Sequence, residues 1–361
     1  MDQEQLKHEH HKHHKHHSKK HRNKVIRRTV ITIFLVLLVA VGGYGFWVFN
    51  TAKNKLDDSY KSAGEKQAAR SIVSDKKPLN VLLLGVDTGA FGRNYQGRSD
   101  TMIIATVNPA KKRTTLTSIP RDTMAELVGT KTYDFERINA AYQRGGAPMA
   151  LKSISELLNV PLEYYVTINM GGMEKIVESV GGVDVDVPFT FTSRGQEFVK
   201  GPMHLNGEQA LKYARMRYED PRGDYGRQDR QRDVIAAVIK AAISTRSLAN
   251  FQDILGSISK NMVTNLSFDD MVAVFTDYRQ YGKTIKNDYV QGAGALWGDA
   301  MVQIASTKEL QRVSDNLRTE SGLDKATLNN ETTYQNKMNV EKNAFVFGSS
   351  SNQQDFKVFE R

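Results

Sequence analysis

No cysteine occurs among the 361 residues. That absence excludes thiol nucleophiles, cysteine-ligated zinc and iron–sulfur clusters, and with them a disulfide framework. It leaves the compartment open, because a domain of this size can be stable outside the cell without disulfides. Histidine is scarce where chemistry would need it. Eight of the nine lie between His8 and His21, and only His204 sits in the body of the chain, which argues against a histidine-based zinc site. There is no G-x-S-x-G elbow. Gly85, Gly89 and Gly92 miss the G-x-G-x-x-G dinucleotide spacing, and no Lys-Ser/Thr pair follows them, so a P-loop is excluded. The remaining composition, 40% hydrophobic and 25% charged with 27 Gly and 8 Pro, rules out collagen-like and wholly disordered classes.

A net charge of +10 suggests a nucleic-acid partner until it is located. Residues 1–28 hold nine Lys/Arg and three Asp/Glu, so +6 of the excess belongs to that tail and only +4 to everything after it. Within the tail, residues 7–21 read KHEHHKHHKHHSKKH. Two readings stay open for this stretch: a solvated low-complexity tail, or a metal-binding or pH-sensing one.

Val30–Phe49 is 20 residues without a charge, about the length that spans a bilayer as a helix. A signal-peptide core is shorter, roughly 7–15 residues, so an uncleaved signal-anchor is expected. Lys19, Lys20, Arg22, Lys24, Arg27 and Arg28 precede the span, whereas Lys53 and Lys55 beyond it are offset by Asp57 and Asp58. The positive-inside rule then predicts a cytoplasmic tail at 1–29, a single membrane span at 30–49 and an extracellular remainder. Residues 50–77 read as a polar stalk.

The body alternates strand-like and helix-like segments. Leu79–Val86 is a continuous apolar run of the kind a doubly buried strand shows. Residues 101–107, 114–119, 164–169 and 183–187 read as further strands. Helices are expected at 147–159, 173–180, 206–217, 228–247, 267–281 and 307–318. The pattern predicts an α/β fold over 78–322, with a mixed central sheet covered by helices on both faces. Residues 323–361 are polar and are expected to form a poorly ordered tail, with a short apolar piece at Ala344–Phe347.

The charged residues gather at strand ends. Asp87 follows the first strand, Arg98-Ser99-Asp100 opens the second, and Ile119-Pro120-Arg121-Asp122 closes the third. Groups just beyond strand ends line the ligand crevice in α/β sheets. Asp87 and Asp100 could share a hard cation such as Mg²⁺, or each could be a turn or cap residue. A second cluster runs from Arg215 to Arg232. It holds Arg215, Arg217, Arg222, Arg227, Arg230 and Arg232 with four acids and no lysine. Guanidinium forks grip phosphate oxygens in pairs. With Arg98 and Arg121 added, the set suits a pyrophosphate, while the interspersed acids suit an internal salt-bridge network equally well. Lys152 falls on a helix, either on its solvent face or reaching a phosphate.

Taken together, LNVLLLGVD at 79–87, GRSDTM at 97–102, TSIPRDT at 117–123, INAAY at 138–142, GGVDVDVP at 181–188, LNGEQALKYARMR at 205–217 and DPRGDYGRQDRQR at 220–232 resemble the LytR–CpsA–Psr family of Gram-positive envelope proteins. The resemblance implies an α–β–α sandwich and a phosphotransferase. Such an enzyme moves an anionic glycopolymer (wall teichoic acid, capsular polysaccharide or a related wall polymer) from an undecaprenyl-pyrophosphate donor to the C6 hydroxyl of N-acetylmuramic acid in peptidoglycan, forming a phosphodiester. It further implies that Asp87 and Asp100 hold Mg²⁺. Arg98, Arg121, Arg215, Arg217 and Arg227 would bind the pyrophosphate with Gln231 and Lys152, Arg98 and Arg121 acting in catalysis. A carboxylate, Asp122 or Asp224, would take the acceptor proton.

Two rivals stand beside this reading. One is an envelope-linked regulator of transcription. Direct contact with nucleic acid conflicts with the expected topology, the +4 balance of the body and the lack of a helix-turn-helix pattern. The other is a lipid-pyrophosphate binder or pyrophosphatase built on the same arginines, which acceptor dependence alone separates from a transferase.

Overall fold

The computed structural model describes residues 69–86, 96–244, 254–256, 259–348 and 354–360. All of them fall within one unit, Asn54–Arg361. The His-rich tail, the expected span at 30–49, most of the expected stalk and Asp87 lie outside the described residues. Among the described residues no helix is long and apolar enough to cross a membrane.

Helix α1 (Ala69–Ser74) leads into β1 (Leu79–Val86), the centre of a six-stranded sheet. β2 (Ser99–Asn108) and β3 (Arg113–Ser118) follow as an antiparallel meander, and the short strands β4 (Met124–Glu126) and β5 (Phe135–Arg137) pair with each other. Helix α2 (Ala140–Leu158) is kinked at Gly145–Gly146. It returns the chain to β6 (Tyr164–Asn169), which lies parallel to β1. Helix α3 (Met170–Ser179) precedes β7 (Val183–Val187), β8 (Phe191–Ser193), β9 (Gln196–Phe198) and β10 (Gly201–Leu205), which form two small antiparallel pairs. Helices α4 (Gly207–Arg215) and α5 (Asp224–Ser244) come next. Strand β11 (Met262–Thr264), helix α6 (Phe268–Ala273) and β12 (Ile285–Tyr289) complete the sheet in the order β11-β6-β1-β2-β3-β12. The hairpin of β13 (Ala293–Trp297) and β14 (Ala300–Ile304) is followed by α7 (Thr307–Glu320) and α8 (Glu331–Asn343).

The sheet is mixed and covered on both sides, as expected. Alternation along β1 and β2 sends Leu82, Leu84, Met102 and Ile104 to one face, where α2 and α7 pack with Ile154, Leu158, Leu310 and Val313. Ile103, Ala105 and Leu116 face the other way, against Ile235 and Ile239 of α5. Each fully buried aliphatic side chain contributes about 1.5–3 kcal/mol. The residue period of two therefore sorts one apolar run into both halves of a three-layer sandwich.

Three expectations need correction. The described part of 323–361 is not a loose tail: α8 packs against the body, and Phe345 and Phe356 are buried beside Met124, Phe135, Ala295 and Ile304. Composition misled because the buried face of α8 is amide rather than aliphatic. The Gln335 side chain accepts from Phe359 N and donates to Phe359 O at 2.9 and 2.6 Å. Asn339 does the same for Lys357 at 2.9 and 2.8 Å, and Asn343 Nδ2 donates to Asp355 O at 2.7 Å. The end of the expected stalk also belongs to the fold, since Val73 is buried and the Tyr278 hydroxyl donates to Lys77 O at 2.5 Å. Finally, the helix expected at 267–281 stops at Ala273 and continues as a π turn and a 3₁₀ turn.

Candidate active site

The carboxyl ends of β1, β3, β6 and β12 and the amino end of β2 meet at one edge of the layer. At this edge β1 and β2 slip by one residue: Gly85 faces Thr101, but Val86 faces Ser99, leaving Asp100 as a bulge. A bulge turns a side chain out of the alternation, and such irregularities recur beside active sites. Gly85 is needed for it, because a Cβ there would lie 2.8 Å from Thr101 Cβ. Asp100 Oδ1 accepts from Arg121 Nη1 at 2.6 Å. Arg121 stands just past β3, where Ile119 N donates to Met102 O and holds the chain end against β2. Its Nε lies 3.4 Å from Asp122 Oδ2, and Arg137 approaches Asp122 Oδ1 at 4.0 Å from the other side.

The first turn of α5 brings Asp224 and Arg227 to the same place. The two form an ion pair, and Gln228 Nε2 donates to Asp224 Oδ2 at 2.9 Å. Only 11% of the Arg227 side chain is exposed. Its pKa is pushed down, first by burial and further by the positive charges of Arg121 and Arg217, against the pull of Asp224 and Asp100. Arg121 differs. Burial would lower its pKa, but the Asp100 hydrogen bond and the charges of Asp100, Asp122 and Asp224 outweigh burial and raise it. The Nε atoms of both arginines are buried without a hydrogen-bond partner among the described residues. Arg121 and Arg227 thus each keep an unused donor, and the charge of Arg217 bears on Arg227. An incoming anion meets those donors and offsets that charge.

Of the six arginines between 215 and 232, three are held in ion pairs with Asp220 and Asp229. Arg230 is 1% exposed, bonded to the fully buried Asp220 at 2.6 Å and to Met216 O at 2.5 Å, with the Phe191 ring 5.7 Å away. Gly226 makes room for this pair, since a Cβ at that position would stand 1.8 Å from Asp220 Oδ2. Arg222 pairs with Asp220 and Asp229, and Arg232 pairs with Asp229 and donates to Ser118 Oγ at 2.5 Å. These three form an internal network, whereas Arg227 lies near enough to Arg121 and Arg217 for their charges to bear on it. The salt-bridge reading therefore describes Arg222, Arg230 and Arg232.

The other expected site residues are less concentrated. Arg98 donates to Glu136 Oε1 at 2.9 Å and to Gln143 Oε1 at 3.0 Å, beside Arg144, which pairs with Glu136 and Asp134. Arg215 donates to Met170 Sδ at 2.9 Å, at the start of α3. Gln231 is half-buried one turn beyond Arg227. Lys152 is exposed on α2, with no described contact to the arginines. Sequence reasoning missed Glu136, Arg137, Gln143 and Arg144, which only the β4–β5 turn and the kink of α2 bring in. A cavity of about 690 Å³ shares no residue with this cluster. It is lined by Glu126, Glu156, Glu331 and Glu360, whose charge would repel a pyrophosphate.

Of the two carboxylates expected to hold a hard cation, Asp100 is described and Asp87 lies outside the described residues. Asp100 Oδ2 has no partner among the described residues, its side chain is 36% exposed, and Asp87 directly follows the strand paired with it. Among the described residues no group of three or more metal-ligating side chains occurs. Mg²⁺ needs no such group, because one or two carboxylates with phosphate oxygens suffice.

With this geometry in view, the relatives are informative. The chain is 42% identical over 299 residues to the polyisoprenyl-teichoic acid–peptidoglycan teichoic acid transferase TagU of Enterococcus faecalis, covering 83% of this chain and 98% of that one. It is 36% identical over 352 residues to biofilm regulatory protein A of Streptococcus mutans, covering 92% and 86%. The crystal structure of B. subtilis TagU superposes with a TM-score of 0.55 at 36% identity, covering 68% of this chain and 97% of that one. The LytR_cpsA_psr family model matches residues 45–319. The chain belongs to the LytR_cpsA_psr family.

Proposed function

We propose that the protein transfers an anionic glycopolymer, of the teichoic acid class, from a polyprenyl-pyrophosphate donor to a peptidoglycan hydroxyl. The observation that carries this reading is that Arg121, paired with Asp100 at the strand ends, and the buried Arg227, paired with Asp224, each keep an Nε donor without a hydrogen-bond partner. The names of the teichoic acid transferases to which the chain is similar agree with it.

In this reading Arg121, Arg217 and Arg227 bind the pyrophosphate oxygens, with Arg98, Arg215, Gln231 and Lys152 assisting. The acceptor C6 oxygen of N-acetylmuramic acid attacks the phosphorus that carries the glycopolymer, and the bond from that phosphorus to the oxygen of the lipid phosphate breaks. The lipid phosphate leaves with the electron pair, and its new charge is met by the guanidiniums. The hydroxyl proton passes to a carboxylate of the cluster, Asp122 or Asp224. Asp100 and Asp87 would hold Mg²⁺, which when bound supplies further neutralisation of phosphate charge. Val30–Phe49 would anchor the chain in the cell membrane with the tail in the cytoplasm and the site outside, where peptidoglycan is found.

The test uses the full chain in detergent with a synthetic polyprenyl-pyrophosphate glycan, peptidoglycan oligomers and Mg²⁺. A phosphodiester conjugate seen by mass spectrometry, lost on Arg121→Ala with the fold intact, is the expected result. Lipid phosphate released without conjugate would instead make the protein a pyrophosphatase.

A further inference from the structure

The chain between α4 and α5 passes directly along the arginine cluster and holds one side chain that folding leaves unused. Tyr218 is 93% exposed, while no other large apolar or aromatic side chain among the described residues exceeds 58%. A tyrosine ring ordinarily contributes by burying 150–250 Å² (about that range), so leaving one in water forgoes most of its value.

Its exposure is not looseness. On one side the chain is fixed by Met216, which is buried and whose carbonyl accepts from Arg230. On the other it is fixed by the fully buried Asp220, bonded to the same arginine. The intervening Glu219 accepts from Thr192 N at 3.1 Å. The ring is braced as well, with the Arg217 guanidinium carbon 5.7 Å from its centroid. That guanidinium is one of the charges bearing on Arg227. Tyr218 is therefore presented to solvent beside Arg217, from a stretch of chain held on both sides.

The geometry points to Tyr218 as a stacking platform for a pyranose ring bonded to, or about to be bonded to, the phosphate in the cluster. This subsite rests on reading the arginines as the pyrophosphate site. A pyranose carries a patch of C–H groups on one face, which packs on an aromatic face as apolar surface does. The sugar of a glycosyl pyrophosphate is one oxygen away from phosphorus, so a phosphate held by Arg217 sets that sugar within a ring's width of the neighbouring residue. The acceptor sugar approaches the same phosphorus. Either pyranose, the first of the donor or the muramic acid of the acceptor, offers this face.

The test is steady-state transfer by the full chain with synthetic donor and peptidoglycan oligomers, comparing wild type, Y218A and Y218F, with melting temperatures recorded. An aromatic contact of this kind corresponds to about a two- to tenfold effect. Y218A is expected to raise KM by that factor with kcat and melting temperature unchanged, and Y218F is expected to match wild type. A rise confined to donor KM places the donor sugar on the ring; a rise confined to acceptor KM places the muramic acid there. Unchanged KM for both substrates overturns the platform. So does a Y218F defect equal to that of Y218A, which would assign the effect to the hydroxyl. Arg217→Ala and Arg121→Ala run in parallel: if both turn over normally, the pyrophosphate reading itself has failed, whatever Tyr218 does.

Discussion

The Tyr225 hydroxyl lies 3.0 Å from Gln303 Oε1, and through that contact the first turn of α5 is tied to the β13–β14 hairpin. Gly292 N donates to the same hydroxyl at 2.7 Å, and Gln303 N donates to Asp122 O at 2.9 Å. A single glutamine thus links the turn carrying Asp224 and Arg227 to the turn carrying Arg121 and Asp122. Burial pushes the Tyr225 pKa up to about 12, so the hydroxyl remains a donor at neutral pH. Tyr225→Phe removes this link together with the hydroxyl's contacts to Gly292. The expected loss is about 1 kcal/mol of stability with roughly a tenfold drop in kcat, since small displacements of positioning groups are costly. Transfer kinetics alongside thermal melts check this, and an unchanged kcat would release Tyr225 from a positioning role.

Arg227 and Arg230 should separate cleanly by mutation. Arg227→Ala removes a cation that the fold holds at a cost, so the melting temperature should hold or rise while transfer falls about 10²–10³-fold. Arg230→Ala strands the buried Asp220 carboxylate and should cost about 3–5 kcal/mol. Denaturant titrations of both variants decide the matter; a strongly destabilised Arg227→Ala would move that residue into the structural network.

Acid should weaken the fold through Asp220 and Glu320. Burial alone would raise both pKa values. For Asp220 the hydrogen bonds from Arg230 and Arg222 N outweigh burial and lower it; for Glu320 those from Arg113 and Lys111 do so. A carboxylate depressed in the folded state contributes stability above its unfolded pKa and loses it as pH falls through the folded value. The melting temperature should therefore decline below about pH 4. Glu320→Gln should lower stability at neutral pH and flatten that decline, as melts across pH 2–7 (roughly that window) would reveal.

Asn339 offers a test of the corrected C-terminal region. Replacing it with alanine deletes both bonds to Lys357 and leaves buried main-chain groups unpaired, at about 1–3 kcal/mol. Hydrogen exchange at Lys357 N would report the loss directly, and unaltered protection there would mean that the β13 contacts alone hold the segment.

Much of this architecture was legible in the chain, and the reasons are specific. Leu79–Val86 announces a doubly buried strand because its apolar run serves two faces, and Asp100 and Arg121 are found by their position at strand ends. The Arg215–Arg232 cluster was visible but not divisible. Nothing local distinguishes Arg227 from Arg230, which differ by Asp220 and a glycine that lets it in. The order of 331–348 and 354–360 was hidden because its buried contacts are largely amide to main chain, so it carries no apolar periodicity. Gln303 left no trace, because its partners, Asp122 and Tyr225, lie 181 and 78 positions away along the chain, a separation only the folded hairpin closes.

The amides of α8 grip residues 355–359 by their peptide groups. Asp355 and Lys357 point outward, exposed, while Phe356 is buried and Val358 packs against the same cluster. That stretch consequently behaves as a slot for backbone with two apolar pegs. Its outward lettering is open to rewriting: a fluorophore, an affinity handle or a reversed charge at positions 355 and 357 would ride on a fixed edge of the molecule, linked through Leu296 and Gln303 to the arginine cluster without touching it.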